Sequence, residues 1–78
     1  MSNAVSHQVT DPGFRDLVQR AEAAGWTVTL TRRRHLRFQT PDGQVVFTGS
    51  TSGDYRGVRN AAARLRRAGL PIPHKWRP

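Results

Sequence analysis

The residues best suited to chemistry lie on one short segment, His35 to Gln39, which follows Arg32-Arg33-Arg34. Polar and apolar residues alternate along this segment, so it is predicted to be a β-strand with one buried and one exposed face. The exposed face carries the His35 imidazole and, two residues further on, the Arg37 guanidinium. Imidazole transfers protons near neutral pH, and guanidinium binds phosphate through paired hydrogen bonds. The segment is therefore a candidate site for phosphate binding or phosphate chemistry.

The charge of the chain points to the same kind of ligand. Its 78 residues include 13 Lys and Arg but only 5 Asp and Glu, which gives a formal net charge of +8. A GC-rich genome would explain the preference for arginine over lysine, but it does not explain the excess of positive charge. We therefore expect a nucleic-acid partner. The candidate phosphate-binding residues are Arg32, Arg33, Arg34, Arg56, Arg59, Arg64 and Arg67.

Composition argues against several other classes of protein. The chain has no cysteine, so disulfides and thiolate metal sites are excluded. It has no apolar run of about 18 residues and no apolar leader, so we expect a cytoplasmic protein that does not enter a membrane. His7 and His74 stand far from His35 in the sequence, and no metal or cofactor motif is present. We expect neither a metal nor a cofactor.

Helix and strand signals divide the chain into five elements. Asp11 before Pro12 is typical of a helix start, and Gly25 is typical of a helix end. Pro41-Asp42-Gly43 is typical of a hairpin turn. The predicted elements are a helix over 12–24, strands over 26–31, 35–40 and 44–48, and a helix over 55–68 that Asp54 caps.

The order α-β-β-β-α predicts a two-layer α+β domain, in which two helices pack on one face of a three-stranded antiparallel sheet. Residues 1–10 are expected to be a disordered arm, residues 11–70 the domain, and residues 71–78 a Pro-rich basic tail. Val45 and Phe47 are predicted to face the core. The opposite, polar face is predicted to carry Thr27, Thr29, Thr31, His35, Arg37, Gln39, Gln44, Val46 and Thr48.

The two tryptophans are expected to differ. Trp26 directly follows a helix end and should lie in the core, whereas Trp76 stands between Lys75 and Arg77 in the tail. Trp76 is expected to be more exposed, where it could stack on a nucleic-acid base or pack back on the sheet. The core is thin and the third strand is exposed, which leaves both a monomer and a dimer open.

The segment from Phe14 to Leu70, 57 of the 78 residues, resembles the HicA toxin family. The family's helix end, its G-S-H-x-x-x-x-x-P-D-G segment, its third strand and its L-K-Q-A-G-L helix ending each have a counterpart here. Arg33-Arg34 replaces the Gly-Ser that precedes the family's histidine, as in a divergent actinobacterial or phage member. The counterparts are Ala23-Ala24-Gly25-Trp26, His35 with Pro41-Asp42-Gly43, Val45-Val46-Phe47, and Leu65-Arg66-Arg67-Ala68-Gly69-Leu70.

The resemblance implies a double-stranded-RNA-binding-domain-like fold and a metal-independent endoribonuclease that cleaves mRNA. Such toxins are held inactive by a HicB-type antitoxin, for which an acidic partner would fit this chain. His35 would carry the chemistry by taking the proton of the 2′-hydroxyl, and Arg37 would stabilise charge on the phosphorane oxygens. Two alternatives stay open. One is a nucleic-acid-binding protein without catalysis, and the other is an interaction module for an acidic protein.

Overall fold

A computed structural model describes residues 4–50 and 55–77. Every predicted helix and strand is present, and each observed boundary lies within one residue of the predicted one. The predicted cap Asp54 lies outside the described residues. The elements are α1 (Ala4–Gln8), α2 (Pro12–Ala23), β1 (Thr27–Leu30), β2 (His35–Gln39), β3 (Val45–Gly49) and α3 (Tyr55–Arg67).

The start of α2 follows from local chemistry. The Asp11 carboxylate accepts hydrogen bonds from the N–H groups of Gly13 at 2.9 Å and Phe14 at 3.2 Å. These bonds satisfy two donors that the helix itself leaves without partners. After the helix, Gly25 has a φ of 87°, a left-handed conformation that suits glycine at a helix end. The chain can then turn directly into β1.

The three strands form an antiparallel sheet in the order β1-β2-β3, which confirms the predicted α+β class. Leu36 and Phe38 of β2 are fully buried. They lie in one core cluster with apolar residues of α2 and of α3, because the buried stripes of both helices meet this face of the sheet. Trp26 belongs to the same cluster, as the sequence predicted.

The predicted orientation of β3 is wrong. Val46 pairs with buried Phe38, and Thr48 pairs with buried Leu36, so these two residues of β3 face the core. Val45 and Phe47 therefore lie on the open face of the sheet, where 37% and 51% of their surface is exposed. The error concerns one strand, but it changes the chemistry of the candidate site.

The expected disorder of residues 1–10 is also wrong for the part that the structure describes. Ala4–Gln8 forms the short helix α1, and Val9 is buried in the core cluster. The Arg15 guanidinium donates from Nε to the Val9 carbonyl oxygen at 3.0 Å, which fixes this segment to the start of α2. The N-terminal segment thus completes the core instead of extending into solvent.

The tail packs on the helices. Ile72 is buried, and the Arg66 guanidinium donates to the carbonyl oxygens of Ile72 and Pro73, both at 3.1 Å. Trp76 is half-buried, and its indole Nε1 donates to the Asp16 carboxylate of α2 at 2.5 Å. Trp76 is more exposed than Trp26, as predicted, but its indole packs against α2 instead of the sheet.

Candidate nucleic-acid interface

The arginine turn, residues Arg32 to Arg34, joins β1 to β2 as a three-residue hairpin loop. The Thr31 N–H donates to the His35 carbonyl oxygen at 2.8 Å, and the Arg34 N–H donates to the Thr31 carbonyl oxygen at 2.9 Å. The side-chain oxygen of Thr31 accepts a further bond from the His35 N–H at 3.1 Å. All three arginines are exposed. One tight loop therefore presents three guanidinium groups to solvent.

Two other segments hold the arginine turn in place. The buried Ser50 hydroxyl, directly after β3, donates to the Arg34 carbonyl oxygen at 2.5 Å. The Arg34 guanidinium makes a longer contact of 3.4 Å with the Gln8 carbonyl oxygen at the end of α1. Because the loop is short and tied at its last residue, its backbone is held in place, which reduces the entropy lost when its arginines bind a rigid anion.

The arginines of α3 fall into two groups. Arg64 and Arg67 line a shallow depression with residues 44–46, beside the Pro41–Gly43 turn. Arg56 lies about 12 Å further along the helix axis, because an α-helix rises 1.5 Å per residue. It therefore lies towards the opposite end of the sheet, where Ser50 contacts the arginine turn. Arg56 and Arg59 lie in the N-terminal half of α3, nearer to that end, whereas Arg64 and Arg67 lie in its C-terminal half.

The two predicted catalytic residues share the open face of the sheet. His35 is exposed and Arg37 is half-exposed, and both stand on β2 with the same side-chain direction. The Arg37 guanidinium donates from Nη1 to Oε1 of Gln39 at 3.1 Å, which orients it along the strand. His35 thus lies next to the arginine turn, whereas the Arg37 guanidinium is directed towards Gln39, on the same face but away from the imidazole.

His74 does not join His35. It lines a cleft of about 300 Å³ between α3 and the tail, on the helix side of the sheet. The cleft also carries three arginines and the Trp76 indole. No sequence pattern predicts that these side chains meet there. It is lined by Arg56, Arg59, Asn60, Ala62, Ala63, Arg66, His74 and Trp76.

Phe47 is the functional candidate that the sequence prediction missed. It pairs across the strands with Arg37, so its ring lies in the middle of the open face. The signal was present in the turn. A three-residue loop closed by Thr40 and Gln44 makes Phe38 oppose Val46, and this parity turns Phe47 outward.

Within residues 4–50 and 55–77, His, Asp and Glu side chains do not form a group of three that could hold a metal ion. Over the same residues, no helix has the length and apolar character needed to cross a membrane. The chemistry of the described surface is that of arginine, imidazole and aromatic side chains.

No protein-family model, curated protein or solved structure matches this chain. The likeness to HicA toxins therefore remains one of short motifs.

Proposed function

We propose that the protein binds RNA, with the arginine turn and the first turns of α3 contacting phosphates. The observation that carries this proposal is the arginine turn itself, in which three exposed guanidinium groups stand on one loop that Ser50 holds in place. Arg56 and Arg59 support it, because they lie in the half of α3 that is further from the Pro41–Gly43 turn. Guanidinium groups bind phosphate oxygens in two-point contacts, and released counterions make such binding favourable at low salt.

The backbone at the end of the sheet that carries the arginine turn adds to the attraction. α3 starts at Tyr55, shortly after Ser50, so the positive end of its helix dipole lies towards the same end. The two basic elements are a hairpin turn and a helix start. They suit a ligand that carries phosphates on two neighbouring backbones. Double-stranded RNA offers that pattern, and proteins recognise it by shape more than by sequence.

The test is fluorescence anisotropy of a labelled RNA duplex over a salt series. The double variant Arg32→Gln/Arg33→Gln should reduce the slope of log K against log salt by about two, one for each lost phosphate contact. Arg64→Gln/Arg67→Gln is the matched control, because it removes the same charge from the opposite end of the sheet and should change the slope less.

Equal effects of the two double variants would mean that net charge, and not this end of the sheet, drives binding. An absence of salt-dependent RNA binding by the wild-type protein would contradict the proposal and favour an acidic protein partner. A DNA duplex of the same sequence should bind more weakly, and equal affinity would contradict the preference for RNA.

A second candidate function is RNA cleavage, which the shared face of His35 and Arg37, two residues apart on β2, supports. His35 would accept the 2′-hydroxyl proton while that oxygen attacks the neighbouring phosphorus and the 5′-oxygen leaves. Arg37 would stabilise the extra negative charge on the phosphorane. An acidic partner of the HicB type would then inhibit the protein by covering the same cations.

Induced expression in a bacterial host, followed by growth and total-RNA integrity, tests this second function. The wild-type chain should arrest growth and fragment RNA, and His35→Ala should abolish both effects. His74→Ala is the matched control, because it removes an imidazole from the helix side and should leave cleavage intact. If the protein is expressed in soluble form and the RNA stays intact, RNA cleavage is contradicted and RNA binding alone remains the proposed function.

A further inference from the structure

The open face of the sheet has an aromatic centre. Phe47 is 51% exposed, and its neighbour across the strands is Arg37, which in turn pairs with Thr29 of β1. On β3 the position opposite His35 is Gly49, so no side chain fills the space beside the imidazole on that strand. Polar residues normally point outward from the solvent face of an antiparallel sheet, so the two neighbouring apolar positions Val45 and Phe47 depart from that pattern.

Charge limits what can bind there. Of the four acidic residues that the structure describes, Asp11, Asp16, Glu22 and Asp42, none lies on a strand. Asp42, the one acidic residue between β1 and the end of β3, lies in a turn and accepts a hydrogen bond from the Thr40 hydroxyl. The face thus combines an apolar ring with an imidazole, a guanidinium and the neighbouring arginine turn. A complementary ligand needs negative charge together with flat apolar surfaces.

Unpaired RNA meets both requirements, because its phosphates are anionic and its bases are free to stack on aromatic side chains. A duplex does not, since its bases are already stacked on one another. A cross-strand pair stands about 5 Å apart at Cβ. One base on Phe47 would therefore keep its own phosphate within reach of Arg37.

We propose that the open face binds a single-stranded segment of RNA, with one base stacked on Phe47 and the adjoining phosphate on Arg37. This inference rests on the proposed function, because the arginine turn would bind the phosphates that continue beyond the sheet. The duplex surface at the start of α3 and the single-strand surface on the sheet would then meet at the arginine turn. Such a protein would favour a junction between paired and unpaired RNA.

The experiment measures anisotropy with a short unstructured RNA and with the same strand annealed to its complement. Phe47→Ala should weaken binding of the single strand by about 5- to 150-fold, which corresponds to ~1–3 kcal/mol for one stacked base. Its salt slope should stay unchanged, because no charge is removed. Binding of the duplex should not change.

Two further substitutions separate stacking from other contacts. Phe47→Trp keeps an aromatic ring and should retain single-strand affinity, whereas Phe47→Leu keeps an apolar side chain and should lose it. Phe47 is half-exposed, so these variants should fold, and circular dichroism melting curves check this.

The outcomes distinguish the two proposals. Loss of all RNA binding already in the wild-type protein would overturn the proposed function. Normal RNA binding that Phe47→Ala leaves unchanged would overturn only the single-strand inference. Concentration-dependent self-association that Phe47→Ala abolishes would instead identify the face as a protein contact and overturn the inference. Wild-type single-strand affinity of Phe47→Leu would show that an apolar side chain suffices, and it would overturn the stacking of a base on Phe47.

Discussion

The two hairpin turns of the sheet share one backbone arrangement and differ in their residues. Each begins with a threonine whose N–H donates, at 2.8 Å, to the carbonyl oxygen four residues later. In each, the threonine Oγ1 accepts a bond from the N–H of that later residue, at 3.1 Å for Thr31 and 2.9 Å for Thr40. The last loop residue is left-handed in both, with φ of 64° at Arg34 and 98° at Gly43.

Only the second turn has residues that suit this backbone. Pro41 presets its own φ, the Asp42 carboxylate accepts a bond from the Thr40 hydroxyl, and Gly43 adopts positive φ without steric cost. Arg34 adopts the same conformation at a cost of about 1–2 kcal/mol. Folding therefore explains the residues of the second turn but not those of the first. The proposed binding of phosphates through the guanidinium groups would account for the arginine turn.

The strongest test exchanges the two loops. A chain with Pro-Asp-Gly at positions 32–34 and three arginines at 41–43 has the same composition and the same formal net charge. If position matters, its affinity for an RNA duplex should fall by roughly 1,000-fold or more, because about three charge-assisted phosphate contacts of ~1.5–3 kcal/mol each are lost. The salt slope should fall by about three. Anisotropy with the wild-type chain as reference measures both.

The exchange has a clear opposite outcome. Unchanged affinity would show that RNA senses only the overall charge, and the two turns would then be functionally equivalent. Each single transplant serves as a control for folding. The chain with Pro-Asp-Gly at 32–34 should be at least as stable as the wild type, since a glycine would occupy the left-handed position.

A smaller effect is expected for Gly43→Ala, measured by urea unfolding. A Cβ at Gly43 would meet no atom within 4 Å, so the cost comes from the backbone alone. We expect a loss of about 1 kcal/mol in the free energy of unfolding, or roughly 4–8 °C in Tm. Unchanged stability would contradict the steric argument and remove the contrast between the turns.

The sequence predicted the elements well because their ends carry strong local signals. Asp11 before Pro12, Gly25 and the Pro41–Gly43 turn each fix a boundary through chemistry confined to a few residues. The sequence predicted the wrong buried face for β3, because Val45, Val46 and Phe47 are consecutive apolar residues and so both faces of the strand are apolar. Hydrophobicity cannot choose a face there, and only the length of the preceding turn can.

Long-range placement was the second limit of prediction. Val9 and Ile72 are buried, yet neither belongs to a periodic apolar pattern that would predict its burial. The same holds for Trp76, whose partner Asp16 lies 60 residues away in the chain. Of the candidate site, the arginine turn and the shared face of His35 and Arg37 followed from the sequence. The outward ring of Phe47 needed the register of the sheet.

The smallest expected effect is also the most discriminating, because its two readouts move in opposite directions. Arg34→Gly relieves the left-handed strain but gives the unfolded chain more freedom, so stability should rise by only about 0.5 kcal/mol. RNA affinity should fall, since one guanidinium is lost. Arg34→Ala is the matched control, because it removes the same guanidinium but keeps a Cβ at the left-handed position. Its affinity should fall equally while its stability does not rise.

A stability loss in both variants would show that the contact between Arg34 and the Gln8 carbonyl oxygen outweighs the backbone cost. The arginine would then have a structural explanation, and the contrast between the two turns would no longer argue for binding.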